Sequence, residues 1–254
     1  MADDRLAAAV QGLPAPWQGH FFDALDSTQD EAREAAQRGA PSHSLFVADF
    51  QRAGRGRASR RWLAPPGSAL LMSILFREET QSPAIRPWRY TRLASLALIG
   101  SIDHHVPGAA AAIKWPNDVM LRDLKVAGIL AETSWDGRKL RVIVGVGMNV
   151  SEAPTDVPGA TCLQAARSAG STPLDRGDLL LTFVSQLNLL LAEPNEVVSA
   201  NWDARLWRRG QRLHLLDGDR DEEVVVLGAQ PDGSLRVRSA DGRERITTTG
   251  ELLA

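Results

Sequence analysis

The chain of 254 residues has a single cysteine, Cys162, and no long apolar run. One cysteine cannot form an internal disulfide, which fits a reducing compartment. No apolar run approaches the roughly 20 residues that span a membrane. The N-terminal segment MADDRLAAAV has two aspartates where a signal peptide needs positive charge. We therefore expect a cytoplasmic protein with no membrane partner.

Lysine is also scarce, with three lysines against 26 arginines among the 29 basic residues. An ammonium group is a compact point charge that the planar guanidinium of arginine does not reproduce. Two of the lysines, Lys114 and Lys125, flank the segment WPND, and the third is Lys139. Lysines kept in so arginine-rich a chain indicate that an amine is needed at those positions.

The chain lacks the sequence motifs of several large enzyme classes. It has no G-x-x-x-x-G-K-[ST] phosphate loop and no G-x-S-x-G nucleophile motif. A G-x-G-x-x-G dinucleotide fingerprint fails because Ser59 stands where the third glycine belongs after Gly54 and Gly56. The five histidines have no metal-ligand spacing, and Cys162 lacks the context of a nucleophile. The sequence alone therefore assigns no metal site with certainty.

What the chain does have is a local cluster of positive charge from Gln51 to Gly67. Apolar residues make up 44%, charged residues 24%, and the net charge is −2, so the cluster does not reflect a generally basic chain. The stretch carries five arginines and no acidic residue, and Pro65-Pro66 stop a helix or a central strand. Three interpretations stay open on this stretch alone: a loop that captures a small polyanion, a solvated basic loop, and a nucleic-acid patch.

Hydrophobic periodicity and turn signals predict an α+β chain. Strands are predicted at 17–25, 44–50, 68–76, 111–115, 125–135 and 140–150, the last two as a hairpin that turns at Asp136-Gly137. Helices are predicted from the N-cap Ser27 to Gly39, and at 87–106, 175–193 and 195–207. Residues 1–16 look like a short lead-in with little periodicity, and 17–207 like the main domain. Residues 208–254 have the short strands and tight turns of a small antiparallel barrel, which should dock on the main domain.

Four segments between these elements form a recognisable set. They are STQ at 27–29, QRAGRGR at 51–57, KWPNDV with KVAGIL at 114–119 and 125–130, and GVGMNV at 145–150. In this order and spacing they resemble the catalytic domain of bacterial biotin protein ligases, the biotin–[acetyl-CoA-carboxylase] ligases, of the monofunctional type without a DNA-binding domain. The resemblance runs from about residue 20 to the C-terminus.

The resemblance implies an ATP-dependent reaction in two steps. The biotin carboxylate attacks the α-phosphorus of ATP, which gives biotinyl-5′-AMP and pyrophosphate. A lysine amine of a biotin carboxyl carrier protein domain then attacks the mixed anhydride and forms an amide. Magnesium accompanies the nucleotide. The implied fold is a mixed sheet with helices, related to class II aminoacyl-tRNA synthetases, followed by a small SH3-like barrel.

The resemblance also implies which residues bind biotin. Ser27, Thr28 and Gln29 resemble a Ser-Thr-Asn sequence that hydrogen-bonds the ureido ring at a helix start. Gln29 replaces the usual asparagine and carries its amide one methylene further out, so that the geometry of this contact is open. The further biotin contacts that the resemblance implies are Gln51, Arg55, Gly56, Arg57, Lys125 and Gly128.

Lys125 and Arg57 are the implied catalytic residues. A carboxylate and a triphosphate repel each other, so cations must bring them together. By resemblance, Lys125 contacts the biotin carboxyl and the α-phosphate, and the loop with Arg57 closes over the adenylate, which water would hydrolyse. The implied ATP-binding residues are Arg57, Arg60, Trp62, Lys114, Asn117, Asp118 and Asn149, with Asp118 as a candidate for magnesium.

Rival functions predict other partners. Lipoate ligation shares the fold and the acyl-adenylate chemistry, but the paired QRAGRGR and KWPNDV motifs favour biotin. A transcriptional repressor would need a DNA-binding domain, and only about 20 residues precede the catalytic region, so we expect no DNA partner. An RNA-binding module would leave Lys125 and GVGMNV without a task. The expected partners are biotin, ATP and the carrier domain, and the expected state is a monomer or a weak homodimer.

Overall fold

Seven strands form a mixed sheet in the computed structural model, which describes residues 4–80 and 86–254. In chain order they are β1 (Gln18–Leu25), β2 (Ser44–Gln51), β3 (Ala69–Glu79), β4 (Ala111–Lys114), β5 (Asp118–Leu121), β6 (Leu124–Trp135) and β7 (Lys139–Asn149). The order across the sheet is β1-β2-β3-β7-β6-β5-β4. Only β1 and β2 are parallel, and every other neighbouring pair is antiparallel. The predicted α+β class with a mixed sheet is confirmed.

Helices cover both faces of this sheet. They are α1 (Asp4–Gln11), α2 (Thr28–Gln37), α3 (Arg86–His105), α4 (Arg176–Leu191) and α5 (Asn195–Ala204). Helices α3 and α4 pack together over one face, and their apolar side chains share a core with the inward-facing residues of the strands. Helix α2 packs on the opposite face, where its alanines contact Phe46, Leu75 and Ile143. Because α2 is short, it leaves the rest of that face free for a pocket.

The start of α2 follows from its sequence. Ser27 has the extended backbone of an N-cap, and its side chain accepts a hydrogen bond from the backbone N–H of Gln29. Asp30 and Glu31 lie in the first turn, where the helix dipole favours negative charge. Gly39 follows the helix with a φ of 96°, a left-handed conformation that glycine adopts without strain. The predicted cap and termination are both confirmed.

The C-terminal residues form a second, five-stranded antiparallel sheet. Its strands are β8 (Arg212–Asp217), β9 (Arg220–Ala229), β10 (Leu235–Ser239), β11 (Glu244–Thr247) and β12 (Glu251–Leu253), in the spatial order β11-β10-β9-β8-β12. The predicted short strands are confirmed. Strands β11 and β12 are the two edges of this sheet, so closure into an SH3-like barrel stays a prediction.

The second sheet is attached to the first part of the chain through a buried interface. Arg92 of α3 is 1% exposed, and its guanidinium donates hydrogen bonds to the backbone carbonyls of Gln230 and Pro231. Trp115 donates from its indole N–H to the carbonyl of Gly233 at 2.9 Å. A Cβ at Gly233 would lie 2.0 Å from the ring of Trp88, so glycine is required for this approach.

Two elements of the structure were not predicted from the sequence. The lead-in with little periodicity is helical from Asp4 to Gln11, because Leu6 and Val10, one helical turn apart, are buried in the main core. Residues 1–3 of that lead-in lie outside the described residues. The segment DVML, for which no strand was predicted, forms β5 and pairs with both β4 and β6.

Candidate active site

A pocket of about 500 Å³ lies beside α2 on the face of the sheet that α2 leaves free. Strand residues alternate between faces, so Gly145, Gly147 and Asn149 of β7 point to the same side. All residues that the sequence predicted for biotin, ATP and catalysis line this pocket, namely Ser27, Thr28, Gln29, Gln51, Arg55, Gly56, Arg57, Arg60, Trp62, Lys114, Asn117, Asp118, Lys125, Gly128 and Asn149. Segments separated by up to 122 positions in the chain thus meet at one site.

The end of the pocket next to α2 is lined by uncharged hydrogen-bonding groups and by Arg55, whose charge is paired with Asp30 and Glu132. Gln51 accepts hydrogen bonds on Oε1 from the backbone N–H of Thr28 at 2.7 Å and from Thr28 Oγ1 at 3.1 Å. Thr28 Oγ1 also lies 2.9 Å from Oγ of Ser73, a buried residue of β3. Hydroxyl and amide groups at such a site can satisfy both the donors and the acceptor of a neutral urea group.

Gln29 is anchored by protein groups on both sides of its amide. Its Oε1 accepts from Ser73 Oγ at 3.0 Å, and its Nε2 donates to Glu132 Oε2 at 3.0 Å and to the carbonyl of Ile143 at 3.3 Å. A Cβ at Gly145 would lie 2.6 Å from Gln29 Oε1. The missing side chain at Gly145 therefore makes room for the extra methylene that glutamine has over asparagine.

Four charged side chains, Asp30, Arg33, Arg55 and Glu132, form one ion-pair cluster that holds the arginine loop, residues 51–67. Arg55 of the loop pairs with Asp30 and with Glu132 Oε1, each at 2.9 Å. Arg33 of α2 also contacts both carboxylates. Partial burial acts to lower the pKa of Arg33, but the hydrogen bonds and charges of Asp30 and Glu132 together outweigh it and raise the pKa. Both of Arg55's ion pairs are to protein carboxylates, which favours an anchoring role. Its predicted contact with biotin stays a prediction.

The loop itself folds back across the pocket. Gly56 N–H donates to the carbonyl of Arg60 at 2.8 Å, and Trp62 N–H donates to the carbonyl of Gly54 at 2.9 Å. The ring of Trp62 lies on the sheet, where a Cβ at Gly147 would approach it to 2.5 Å and one at Gly128 to 3.1 Å. These two glycines create the flat surface that lets an indole ring enter the site.

Lys125 lies at the centre of the pocket. Its Nζ is 2.8 Å from Asp118 Oδ1 of the neighbouring strand β5, so the two form an ion pair. The same ammonium lies 5.7 Å from the centroid of the Trp62 ring, which is a cation–π distance. Backbone bonds to Gly159 and Thr161 fix the chain at Lys125 from the side of the 151–170 segment. The Lys125 side chain is 37% exposed, so a bound anion can reach its ammonium.

Arg57 is a pocket-lining cation of the loop that has no carboxylate in hydrogen-bond contact among the described residues. Its guanidinium donates to Asn117 Oδ1 at 2.9 Å, and Asn117 is itself held by a bond from its Nδ2 to the carbonyl of Ile129. Burial lowers the pKa of Arg57, and the charge of nearby Arg60 acts in the same direction, whereas Asp118 and Glu251 raise it. Burial thus disfavours the charged form of Arg57, and a bound anion would offset that cost.

The C-terminal sheet also contributes to the site. Glu251 of β12 lies 3.0 Å from a guanidinium nitrogen of Arg60 and 3.8 Å from Nζ of Lys114. Lys114 is also 5.9 Å from the ring centroid of Trp207. Glu251 therefore joins the arginine loop to the edge of the first sheet, and it balances two of the cations at this end of the pocket.

The sequence of this chain matches a known protein family. The model of the biotin/lipoate A/B protein ligase family matches residues 21–149, which span the sheet from β1 to β7 and the arginine loop. The chain belongs to this family.

Relatives in the biotin/lipoate ligase family match over most of this chain. The biotin–[acetyl-CoA-carboxylase] ligase of Paracoccus denitrificans is 33% identical, over 87% of this chain and 94% of its own. The bifunctional ligase/repressor BirA of Bacillus subtilis is 32% identical, over 87% of this chain and 72% of its own. The crystal structure of the Leishmania major biotin protein ligase in complex with biotinyl-5-AMP is 27% identical with a TM-score of 0.64, and covers 93% of this chain and 100% of that one.

Sequence reasoning missed three polar residues that contact the predicted site residues. Ser73 is an isolated serine in the apolar strand β3, and Glu132 is one of several polar residues near the end of β6. Glu251 lies far along the chain in β12. A single clue was present for Ser73, because a polar residue in the middle of a buried strand needs a hydrogen-bond partner. The other two follow only from the packing of distant segments.

Proposed function

We propose that this chain is an ATP-dependent biotin ligase, which activates biotin as biotinyl-5′-AMP and transfers it to a lysine of a biotin carboxyl carrier protein. The observation that carries the proposal is the pocket, in which the segments 27–29, 51–62, 114–128 and 145–149 of a biotin/lipoate ligase family member meet. One end is neutral and rich in hydrogen-bonding groups, and the other is cationic. Biotin has a neutral urea head and an anionic tail, and it would lie along this gradient.

In the first step, the chain's cations bring two anions together. Thr28, Gln51 and Gln29 bind the urea head, which directs the carboxylate towards Lys125. The ammonium of Lys125 and the guanidinium of Arg57 offset the negative charge of the carboxylate and the α-phosphate. The carboxylate oxygen forms a bond to the α-phosphorus, and the bond from that phosphorus to pyrophosphate breaks. Lys125 stabilises charge and is not a nucleophile.

The arginine loop protects the product of that step from water. Arg57 binds the phosphate of the adenylate, and Trp62 packs against the adenine from the loop side. Arg60, Lys114, Asn117 and Asn149 bind the remainder of the nucleotide. Gly56 and Gly128 allow the backbone and the ring of Trp62 to approach the bound molecule closely. The anhydride thus stays enclosed until a carrier lysine amine attacks its carbonyl carbon and AMP leaves.

The residues at the nucleotide end fit a magnesium ion that is held mainly by phosphates. Mg²⁺ usually binds one or two carboxylates together with substrate phosphates and water. Asn149 Oδ1 is a buried oxygen without a hydrogen-bond donor among residues 4–80 and 86–254, and Asp118 Oδ1 is paired with the Lys125 ammonium at 2.8 Å. Those same residues contain no group of three or more His, Cys, Asp or Glu side chains that could hold a metal without the nucleotide. A magnesium ion would offset the charge of the phosphates there.

The remaining assignments are proposals of the same kind. Residues 17–207 would form the catalytic domain and 208–254 an SH3-like domain, although Glu251 gives the second a share in the site. We also propose a cytoplasmic enzyme that binds no DNA and exists as a monomer or a weak homodimer. None of the helices in the described part of the chain is long and apolar enough to cross a membrane.

Pyrophosphate exchange with different acids tests the proposed function. The protein is incubated with ATP, labelled pyrophosphate and either biotin or lipoate, and then with an apo carrier domain. We expect label to enter ATP with biotin, and biotin to appear on the carrier lysine, because the urea head matches the neutral end of the pocket. Exchange with lipoate but not with biotin would mean that the chain is a lipoate-type acyl-adenylate ligase.

A further inference from the structure

A continuous chain of polar contacts runs from the start of the arginine loop, beneath the pocket, and back to the loop. It begins at Gln51, passes through Thr28 and Ser73 to Gln29, and continues from Gln29 Nε2 to Glu132 Oε2 at 3.0 Å. Glu132 Oε1 then accepts from Arg55 at 2.9 Å, four residues after Gln51.

The two hydroxyl groups in this series of contacts have too few protons to form all of their hydrogen bonds at once. Thr28 has one hydroxyl proton, yet its Oγ1 lies within hydrogen-bond distance of both Gln51 Oε1 and Ser73 Oγ. Ser73 likewise has one proton for Thr28 and for Gln29 Oε1. A bound urea group that bonds to either hydroxyl would therefore decide which way the other bonds run.

Glu132 is the residue in this series of contacts that joins the pocket residues to the loop. It does not line the pocket that holds the predicted site residues. Its two oxygens have different partners, Arg55 on Oε1 and both Gln29 and Arg33 on Oε2. Gln29 reaches Glu132 because its side chain is longer than asparagine and because Gly145 leaves room for it.

We propose that Glu132 is a positioning residue that couples occupation of the biotin pocket to closure of the arginine loop. One oxygen fixes the Gln29 amide under the urea head, and the other fixes Arg55 and with it the loop. The proposal rests on the proposed function, since it takes the urea head of biotin as the group that the pocket recognises. Glu132 touches neither substrate nor nucleotide, and it acts through Gln29 and Arg55.

Limited proteolysis measures this coupling directly. Trypsin cleaves after arginine, and the loop carries five of them, so its cleavage rate reports how often the loop is open. With biotin as the only ligand, we expect cleavage of the wild-type loop to slow about tenfold. In Glu132→Gln a neutral amide replaces the carboxylate, so Arg55 loses this ion pair and keeps only the exposed one with Asp30. We expect protection to fall below about threefold, while the biotin KM in pyrophosphate exchange changes less than the protection does.

Two further variants make the test specific. Gln29→Asn withdraws the amide from Glu132, so Gln29→Asn and Glu132→Gln together should cost no more protection than either alone. Glu79→Gln removes a carboxylate from an exposed pair with Arg138, away from the loop, and should leave the protection unchanged. If Glu132→Gln does not fold, the loss of protection in Gln29→Asn carries the test, measured at saturating biotin so that weaker binding does not contribute.

The outcomes separate the two proposals. If biotin protects the wild-type loop and both variants equally well, Glu132 does not couple the pocket to the loop, and the proposed function stands. If biotin neither protects the wild type nor supports exchange, the proposed function fails and the coupling fails with it. A loss of protection that merely follows a lower thermal stability, with full protection at a lower temperature, would also overturn the positioning role.

Discussion

Replacing Lys125 with alanine is expected to slow biotin adenylation by about 10²- to 10³-fold, with the fold intact. Lys125 lines the pocket, with its ammonium 2.8 Å from Asp118 and 5.7 Å from the ring centroid of Trp62. Removing one preorganised group that stabilises charge in a transition state has costs of this size. Biotin-dependent pyrophosphate exchange measures the rate, and thermal unfolding checks the fold.

Two other substitutions show whether the amine at Lys125 is what matters. Lys125→Arg keeps the charge but replaces a compact ammonium with a planar fork, so we expect it to recover only part of the activity. Lys139→Ala removes an exposed lysine at the start of β7 and should have the activity of the wild type. Normal exchange in Lys125→Ala would remove Lys125 from the active site.

Replacing Arg57 with glycine is expected to release biotinyl-5′-AMP about 10 to 100 times faster than the wild type does. Arg57 is held by Asn117 and, among the described residues, has no carboxylate in hydrogen-bond contact. A hydrogen bond between charged groups contributes about 1.5–3 kcal/mol, which corresponds to that range of rates if the loss falls on dissociation. Free adenylate in a filter assay, with carrier domain omitted, gives the release rate.

Arg52 provides the matched control for Arg57. It lies in the same loop, but its ion pair with Asp26 is exposed and it does not line the pocket. Arg52→Gly therefore adds the same backbone freedom without removing a phosphate ligand, and it should retain the adenylate as the wild type does. Equal retention by Arg57→Gly would show that the loop does not hold the adenylate through Arg57.

The fold could largely be read from local patterns. The N-cap Ser27, the turn at Asp136-Gly137 and the apolar strands are signals within a few residues of one another, and the structure bears them out. Strand β5 was not predicted because its four residues, DVML, show no alternation of polar and apolar side chains. Their conformation depends on pairing with β6. Helix α1 escaped because its two buried side chains become meaningful only against the surface that they contact.

The candidate site divides in the same way. Residues such as Lys125 and Gln51 could be predicted from the sequence, because each lies in a short motif with a recognisable spacing. Glu132 and Glu251 are ordinary acidic residues by sequence, and only the tertiary structure puts them against Arg55 and Arg60. The sequence also left the geometry of Gln29 open, and the answer depended on the glycine at 145, 116 positions away.

The buried core does not stop at the boundary between the two sheets. Leu93 of α3 and Phe183 of α4 belong to the same apolar cluster as Leu213 and Val237 of the C-terminal strands. A segment of fewer than about 50 residues buries so little apolar surface that its stability alone is marginal. Heat or denaturant should therefore unfold the seven-stranded sheet and the C-terminal strands in one cooperative transition. Deletion of the last strands should then destabilise the whole protein and not only its C-terminal part.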